Sequence, residues 1–260
     1  MPKIYESSVE TIRETFAVLI GFAVTEFIGD NFQQEGSADI TVWVLSLILI
    51  LLVLRLFIGT ANHLKTTYAE IEGGDDHADE FNCTTGFFLK DVGFLIAFGV
   101  VSILIAKSDP KAPASFLKRT LLLLLITSLW SILDVLLHWV ARVREWFKRS
   151  RARSWCRWWL LCDSSQLLLT AIFWRWGLLL PRTWCWSWLR PRGLTLIALF
   201  AGFFIADVRK ILEMRQSEAT GRDERDEPFP WLHVVFCVAA VVGAVAVYRS
   251  GTPAWLPDPF

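Results

Sequence analysis

Seven apolar stretches, each long enough to cross a bilayer as a helix, constrain this chain more than anything else in it. They run over 11–28, 40–59, 87–106, 116–140, 164–181, 193–212 and 231–248. About 20 helical residues span a hydrocarbon core, and backbone groups in lipid must be paired within their own segment. Blocks of this length read as helices rather than strands, because a membrane strand needs only about 10 alternating residues. The expected fold class is an all-α polytopic transmembrane helix bundle of about seven spans, forming one domain over residues 1–260. Six spans is the alternative: Arg13, Glu14 and Glu26 interrupt the first block and Arg175 the fifth, so either block can be re-entrant or interfacial. The hydrophobic fraction of 54% exceeds the roughly 45–50% of a soluble domain, and the excess is concentrated in these blocks.

Charge is balanced overall, with 26 Lys and Arg against 26 Asp and Glu, so no global field steers the chain toward nucleic acid. The local distribution is uneven. The loop after the fourth block carries Arg142, Arg144, Lys148, Arg149, Arg151, Arg153 and Arg157. By the positive-inside rule this loop is cytoplasmic, which puts the N-terminus inside and the C-terminus outside. The expected location is integral to a plasma or bacterial inner membrane. Lys107, Lys111, Lys118 and Arg119 on the predicted outside run against the rule but are split between two helix ends. Interleaved tryptophans give the basic loop the composition of a nucleic-acid patch. Its place between membrane blocks instead predicts contact with anionic lipid headgroups, worth about 1 kcal/mol per charge near the surface. Glu6, Glu10 and Glu14 occupy what would be the basic region of a signal peptide, so the first helix is expected to stay as an anchor.

Ionisable residues recur at one depth. Lys90-Asp91 opens the third block and Asp134 follows Asp91 by 43 residues; Cys162-Asp163 opens the fifth and Asp207 follows Asp163 by 44. Arg55 ends an uncharged run in the second block. The layout predicts sequential helical hairpins with a charged layer in the inner third of the bilayer, where ionisable groups are costly and face a bundle interior or watery cavity. Past this layer, Arg55, Gly59, Asn62, His63, Thr66 and Glu70 form one stripe at helical spacing, as do Asp134, His138, Arg142, Glu145 and Arg149. Arg55 is expected to pair with Asp134 or Asp207 across the bundle, and Asp134 with His138 is a candidate proton relay, since His titrates near neutrality.

Other groups carry weaker signals. Asp75, Asp76, His77, Asp79 and Glu80 offer ligands for a divalent ion but lack a calcium-loop pattern, so a solvated loop is the expectation. Cys83, Cys156, Cys162, Cys185 and Cys237 form no metal-binding or redox spacing. Trp155, Trp158 and Trp159 before the fifth block, and Trp184, Trp186 and Trp188 after it, read as interfacial belts. Gly93, Gly99, Gly202 and the Ala- and Gly-rich seventh block allow close helix approach, and a smooth terminal helix suits a homo-oligomer or a membrane partner subunit.

No nucleophile elbow, zinc-protease helix, phosphate loop or dinucleotide fingerprint occurs, and no cofactor is implied. The leading functional reading is a non-enzymatic channel-like or sensor protein with a cytoplasm-facing polar vestibule lined by Arg55, His63, Asp91, Asp134, His138, Asp163 and Asp207. The alternatives are a proton-coupled small-solute transporter, an intramembrane enzyme acting on lipid or isoprenoid, and a structural membrane subunit of a complex.

Overall fold

Long runs of Leu, Ile, Val and Phe without internal proline favour helix wherever water cannot satisfy the backbone. The computed structural model of the chain follows that rule. It describes residues 3–33, 40–68, 78–109, 113–137, 152–176, 189–220 and 231–250. Among these residues there are seven helices and no strand: α1 (Lys3–Gln33), α2 (Ile40–Tyr68), α3 (Ala78–Ala106), α4 (Pro113–Leu137), α5 (Ala152–Trp176), α6 (Leu189–Thr220) and α7 (Trp231–Arg249). Pro113 begins α4 at a position where its missing N–H costs nothing. α3 closes with Lys107 and Ser108 donating back to the carbonyls of Ile103 and Ile105, each at 3.0 Å.

Among the described residues, four helices are long and apolar enough to cross a membrane, over Val42–Leu64, Gly86–Ala106, Ala114–Leu137 and Leu232–Arg249. α1, α5 and α6 carry more charge. In α5 the charged residues are Arg153, Arg157, Asp163 and Arg175, and α6 carries Arg190 and Arg192 near its start and Asp207, Arg209 and Lys210 further along.

Beyond the polar layer, toward the end of the bundle that holds Phe27 and Phe116, the core is apolar. Ile48, Leu49, Leu52 and Leu56 of α2 are fully buried, together with Phe27, Phe98, Phe116 and Phe200 from four other helices. Large apolar side chains also cover the outside, including Val18, Trp43, Leu89, Ile205, Leu232 and Val242. A soluble protein seldom exposes contiguous apolar surface on this scale; a lipid-facing surface does.

Helix neighbours only partly follow chain order. α1 packs on α2 and α3, α3 on α4, α4 on α5 and α7, α5 on α7, and α6 on α2. α1–α2 and α3–α4 are therefore packed hairpins. α5 and α6 scarcely touch, which corrects the expectation of a third packed hairpin: the Asp163–Asp207 spacing joins two helices that meet through α2. Chain direction alternates. Phe27 near the end of α1 meets Phe116 at the start of α4, with ring centroids 5.8 Å apart. Lys118 beside it lies 4.9 Å over the Tyr248 ring at the end of α7, and Arg119 donates to the Leu104 carbonyl at the end of α3. The ionisable layer lies toward the opposite end, where the late parts of α2, α4 and α6 meet the early parts of α3 and α5.

Candidate functional site

The layer resolves into two buried clusters. In the first, Arg55 of α2 reaches three acceptors on two other helices. Its Nε donates to Asp207 Oδ2 of α6 at 2.8 Å, and its Nη2 to Asp163 Oδ1 of α5 at 2.8 Å. Its Nη1 donates to Gln166 Oε1. The guanidinium is 1% exposed, so these bonds replace its hydration. Aromatic rings close the remaining faces, with Arg55 Cζ 5.8 Å from the Trp159 centroid and 5.6 Å from that of Phe203. Asp207 Oδ1 accepts from Trp158 Nε1 at 3.0 Å, and Asp163 Oδ2 from the Ser131 hydroxyl of α4 at 2.9 Å. The Cys162 thiol adjoins Asp207.

In the second cluster, His63 of α2 lies between carboxylates of two helices. Its Nε2 is 3.3 Å from Asp91 Oδ2 of α3, and its Nδ1 is 3.9 Å from Asp134 Oδ2 of α4. The Lys90 ammonium pairs with Asp91 Oδ1 at 3.0 Å and with Asp134 Oδ1. Asp91 also accepts from Tyr68 Oη at 2.8 Å and from Trp130 Nε1 at 2.9 Å. The His63 and Trp130 rings meet edge to face at 4.8 Å.

The two clusters share walls. Arg55, Gly59 and His63 occupy successive turns of α2, about 12 Å from first to last. A Cβ at Gly59 would stand 1.6 Å from Trp159 Cζ2, so the Trp159 indole rests on bare backbone between Arg55 and His63. Trp159 meets Trp130 at 5.3 Å with the ring planes at 90°. Ser131 and Asp134 lie one turn apart on α4 and serve different clusters.

Charge does not balance within either cluster. Arg55 faces two carboxylates, and Lys90 faces two more. With His63 neutral and every Asp ionised, each cluster carries one excess negative charge. Uncompensated charge away from water is costly. A single proton neutralises each cluster, and hydrogen-bond chemistry says where it goes. Asp207 accepts from an Arg and a Trp nitrogen, neither of which can accept in return. Asp163 differs, because the Ser131 hydroxyl can donate or accept. A proton on Asp163 Oδ2 keeps that bond by reversing it. In the other cluster both nitrogens of His63 face a carboxylate, the arrangement an imidazolium satisfies and a neutral ring does not.

Gln166 shows a different imbalance. Arg55 fixes its amide oxygen toward the guanidinium, so its Nε2 must point elsewhere, and there it has no partner although it is buried. An orphaned buried donor costs about 1–3 kcal/mol.

Of the seven candidates expected to share the layer, Arg55, His63, Asp91, Asp134, Asp163 and Asp207 are buried within these clusters; His138 lies outside the described residues. The expected partner Asp207 does meet Arg55, whereas Asp134 meets Lys90 and His63 instead. Of the tryptophans expected in interfacial belts, Trp159 is buried within the bundle and Trp158 is half-buried and hydrogen-bonds Asp207; the side chains of Trp155, Trp184, Trp186 and Trp188 lie outside the described residues. The side chains of Asp75, Asp76, His77, Asp79, Glu80, Arg142, Arg144, Lys148, Arg149, Arg151 and Arg153 lie outside the described residues; Arg157 is half-buried. Sequence reasoning missed Tyr68, Lys90, Trp130, Ser131 and Gln166 as site members. Gln166 carried a readable signal, being a polar residue one turn from Asp163 inside an apolar run.

Comparison with known families, curated proteins and solved structures finds no match to this chain. Function must be argued from the site's own chemistry.

Proposed function

We propose that this is a non-enzymatic polytopic membrane protein of channel or transporter type whose conformation is linked to protons held in the buried charged layer. In this reading all seven helices span, with the N-terminus and the basic loop on the cytoplasmic side and the charged layer in the inward half. The observation that carries it is the pairing of two carboxylates with one fixed cation in each cluster, beside one group that can take a proton without losing its hydrogen bonds. These groups are Asp163, through Ser131, and His63, between Asp91 and Asp134.

Proton loss then has a mechanical consequence. The Arg55 cluster ties α2, α4, α5 and α6, and the His63 cluster ties α2, α3 and α4. Deprotonation leaves like charges facing one another across helices that otherwise meet through apolar contacts. α5 and α6, which scarcely touch, are joined chiefly through Arg55 and the Trp158–Asp207 bond. Opening there would expose the layer as a vestibule to the cytoplasm, and reprotonation would close it. Arg142, Arg144, Lys148, Arg149, Arg151, Arg153 and Arg157 would hold the inner face against anionic headgroups.

Liposomes containing the purified protein provide the test. An imposed pH gradient should collapse faster than in empty liposomes, as read by a trapped pH-sensitive dye. Asp163→Asn and His63→Gln should each slow that collapse at least about tenfold, an activation difference of about 1.4 kcal/mol. Collapse no faster than in empty liposomes, together with tryptophan fluorescence that does not change with pH, would overturn the reading in favour of a neutralised structural layer.

A further inference from the structure

The Arg55 cluster does not end at Gln166. Along α4 and α5, toward the end of the bundle that holds Phe116 and Trp174, further buried polar side chains occur without partners. Ser128 Oγ, Thr170 Oγ1 and Gln166 Nε2 are each buried and unbonded. The Ser131–Asp163 bond sets the register of these antiparallel helices. Ser128 then stands level with Gln166, and Thr170 one turn beyond. On the same two helices, Thr127 and Ser164 turn their hydroxyls to their own helix carbonyls, Thr127 to Leu124 at 2.9 Å and Ser164 to Leu160. Ser128 and Thr170 do not.

We propose that Gln166, Ser128 and Thr170 form a water-binding track between α4 and α5, leading from Asp163 toward the far face of the membrane. Two hydroxyls and an amide NH₂ group supply donors and acceptors in sequence, which is what a file of two or three waters requires. Ser131 is the junction. Its hydroxyl bonds Asp163 on one side and lies one turn from Ser128 on the other. A proton reaching Ser131 through the file passes to Asp163 Oδ2 as the hydroxyl proton moves on and a new one arrives, so no oxidant or cofactor enters. The track deepens the proton-linked reading and rests on it for its purpose, but its hydration is measurable without any transport.

The test uses full-length protein in which Cys83, Cys156, Cys162, Cys185 and Cys237 are replaced by Ala. Ser128→Cys and Thr170→Cys are compared with Leu123→Cys and Leu167→Cys, which occupy buried apolar positions on the same two helices. Methyl methanethiosulfonate reacts with the thiolate, which forms where water reaches it. Labelling followed by mass spectrometry should be at least tenfold faster at 128 and 170 than at 123 and 167. Equal rates at all four positions overturn the track, whether all are fast through loose packing or all slow because the hydroxyls turn to their own helices. Should the cysteine variants misfold, radiolytic labelling of the unaltered protein decides the matter. It should modify Thr170 of the file more than Thr60 of α2, an equally buried residue of the same type whose hydroxyl bonds its own helix; equal or reversed modification rejects the track. A protein that moves no protons yet labels at 128 and 170 would reject the proton-linked function and keep the track.

Discussion

Trp159 rests its indole on the backbone of Gly59, at the one turn of α2 that separates Arg55 from His63. The contact fixes how closely α5 approaches α2, and so where Asp163 meets Arg55, four residues along each helix. It also places an aromatic wall between the two clusters.

Gly59→Ala therefore tests the register of the whole layer. The added methyl has no space, because the obstructing atom belongs to a rigid ring rather than a flexible chain end. Overpacking of this kind costs about 1–3 kcal/mol. Thermal unfolding in detergent should show that loss, and Gly59→Ala combined with Trp159→Leu should recover part of it. A Gly59→Ala protein as stable as wild type would mean that the helices do not approach this closely. Gly93, Gly202 and Gly243, by contrast, have nothing near the position of a Cβ, and alanine there should be tolerated.

Much of this layer was legible in the sequence and much was not, for one physical reason. Depth along a helix follows from counting residues, so the common level of Arg55, Asp91, Asp134, Asp163 and Asp207 could be read directly. Azimuth and partner choice depend on which helices pack together, and chain order misleads there, since α6 packs on α2 rather than α5. Depth alone offers Arg55 either Asp134 or Asp207; packing gives it Asp207 and, equally, Asp163. Trp158 and Trp159 looked interfacial because tryptophan beside arginine commonly marks a headgroup layer. The Trp158 indole nitrogen and the Trp159 ring face instead serve the charged groups just inside it. Lys90 was read as the start of a helix, and only the packing of α3 on α4 shows it neutralising Asp134.

The two carboxylates around Arg55 should respond differently to the same substitution. Asp163→Asn removes the excess charge and keeps both bonds: the amide oxygen accepts from Arg55 and the NH₂ donates to the Ser131 hydroxyl. Its stability should stay within about 1 kcal/mol of wild type, and its response to pH should weaken. Asp207→Asn also removes one charge but must turn its NH₂ toward either Arg55 or Trp158, both donors. That conflict should cost about 1–3 kcal/mol. Arg55→Met, which leaves two buried carboxylates facing each other, should be the most damaging, at about 3–5 kcal/mol. Denaturation of the three proteins side by side gives the order, and an Asp163→Asn as damaging as Arg55→Met would contradict the charge assignment.

Lys90 supplies the positive charge that a metal ion would otherwise bring to this cluster. His63, Asp91 and Asp134 each offer one ligand atom, all within 4.8 Å of one another, and one imidazole with two carboxylates suits Zn²⁺ or Mn²⁺. The Lys90 ammonium already bridges the two carboxylates, so a divalent ion would have to displace it or share their charge with it. Lys90→Met keeps an apolar stem of similar length and removes the charge. The variant should bind Zn²⁺ at least about tenfold more tightly than wild type, a difference of about 1.4 kcal/mol. Asp134→Asn in the same background should abolish the gain. Titration calorimetry on both proteins in detergent measures it. Zn²⁺ binding as tight in the wild type as in Lys90→Met would show that the lysine is not the resident cation and that the cluster is a metal centre in its own right.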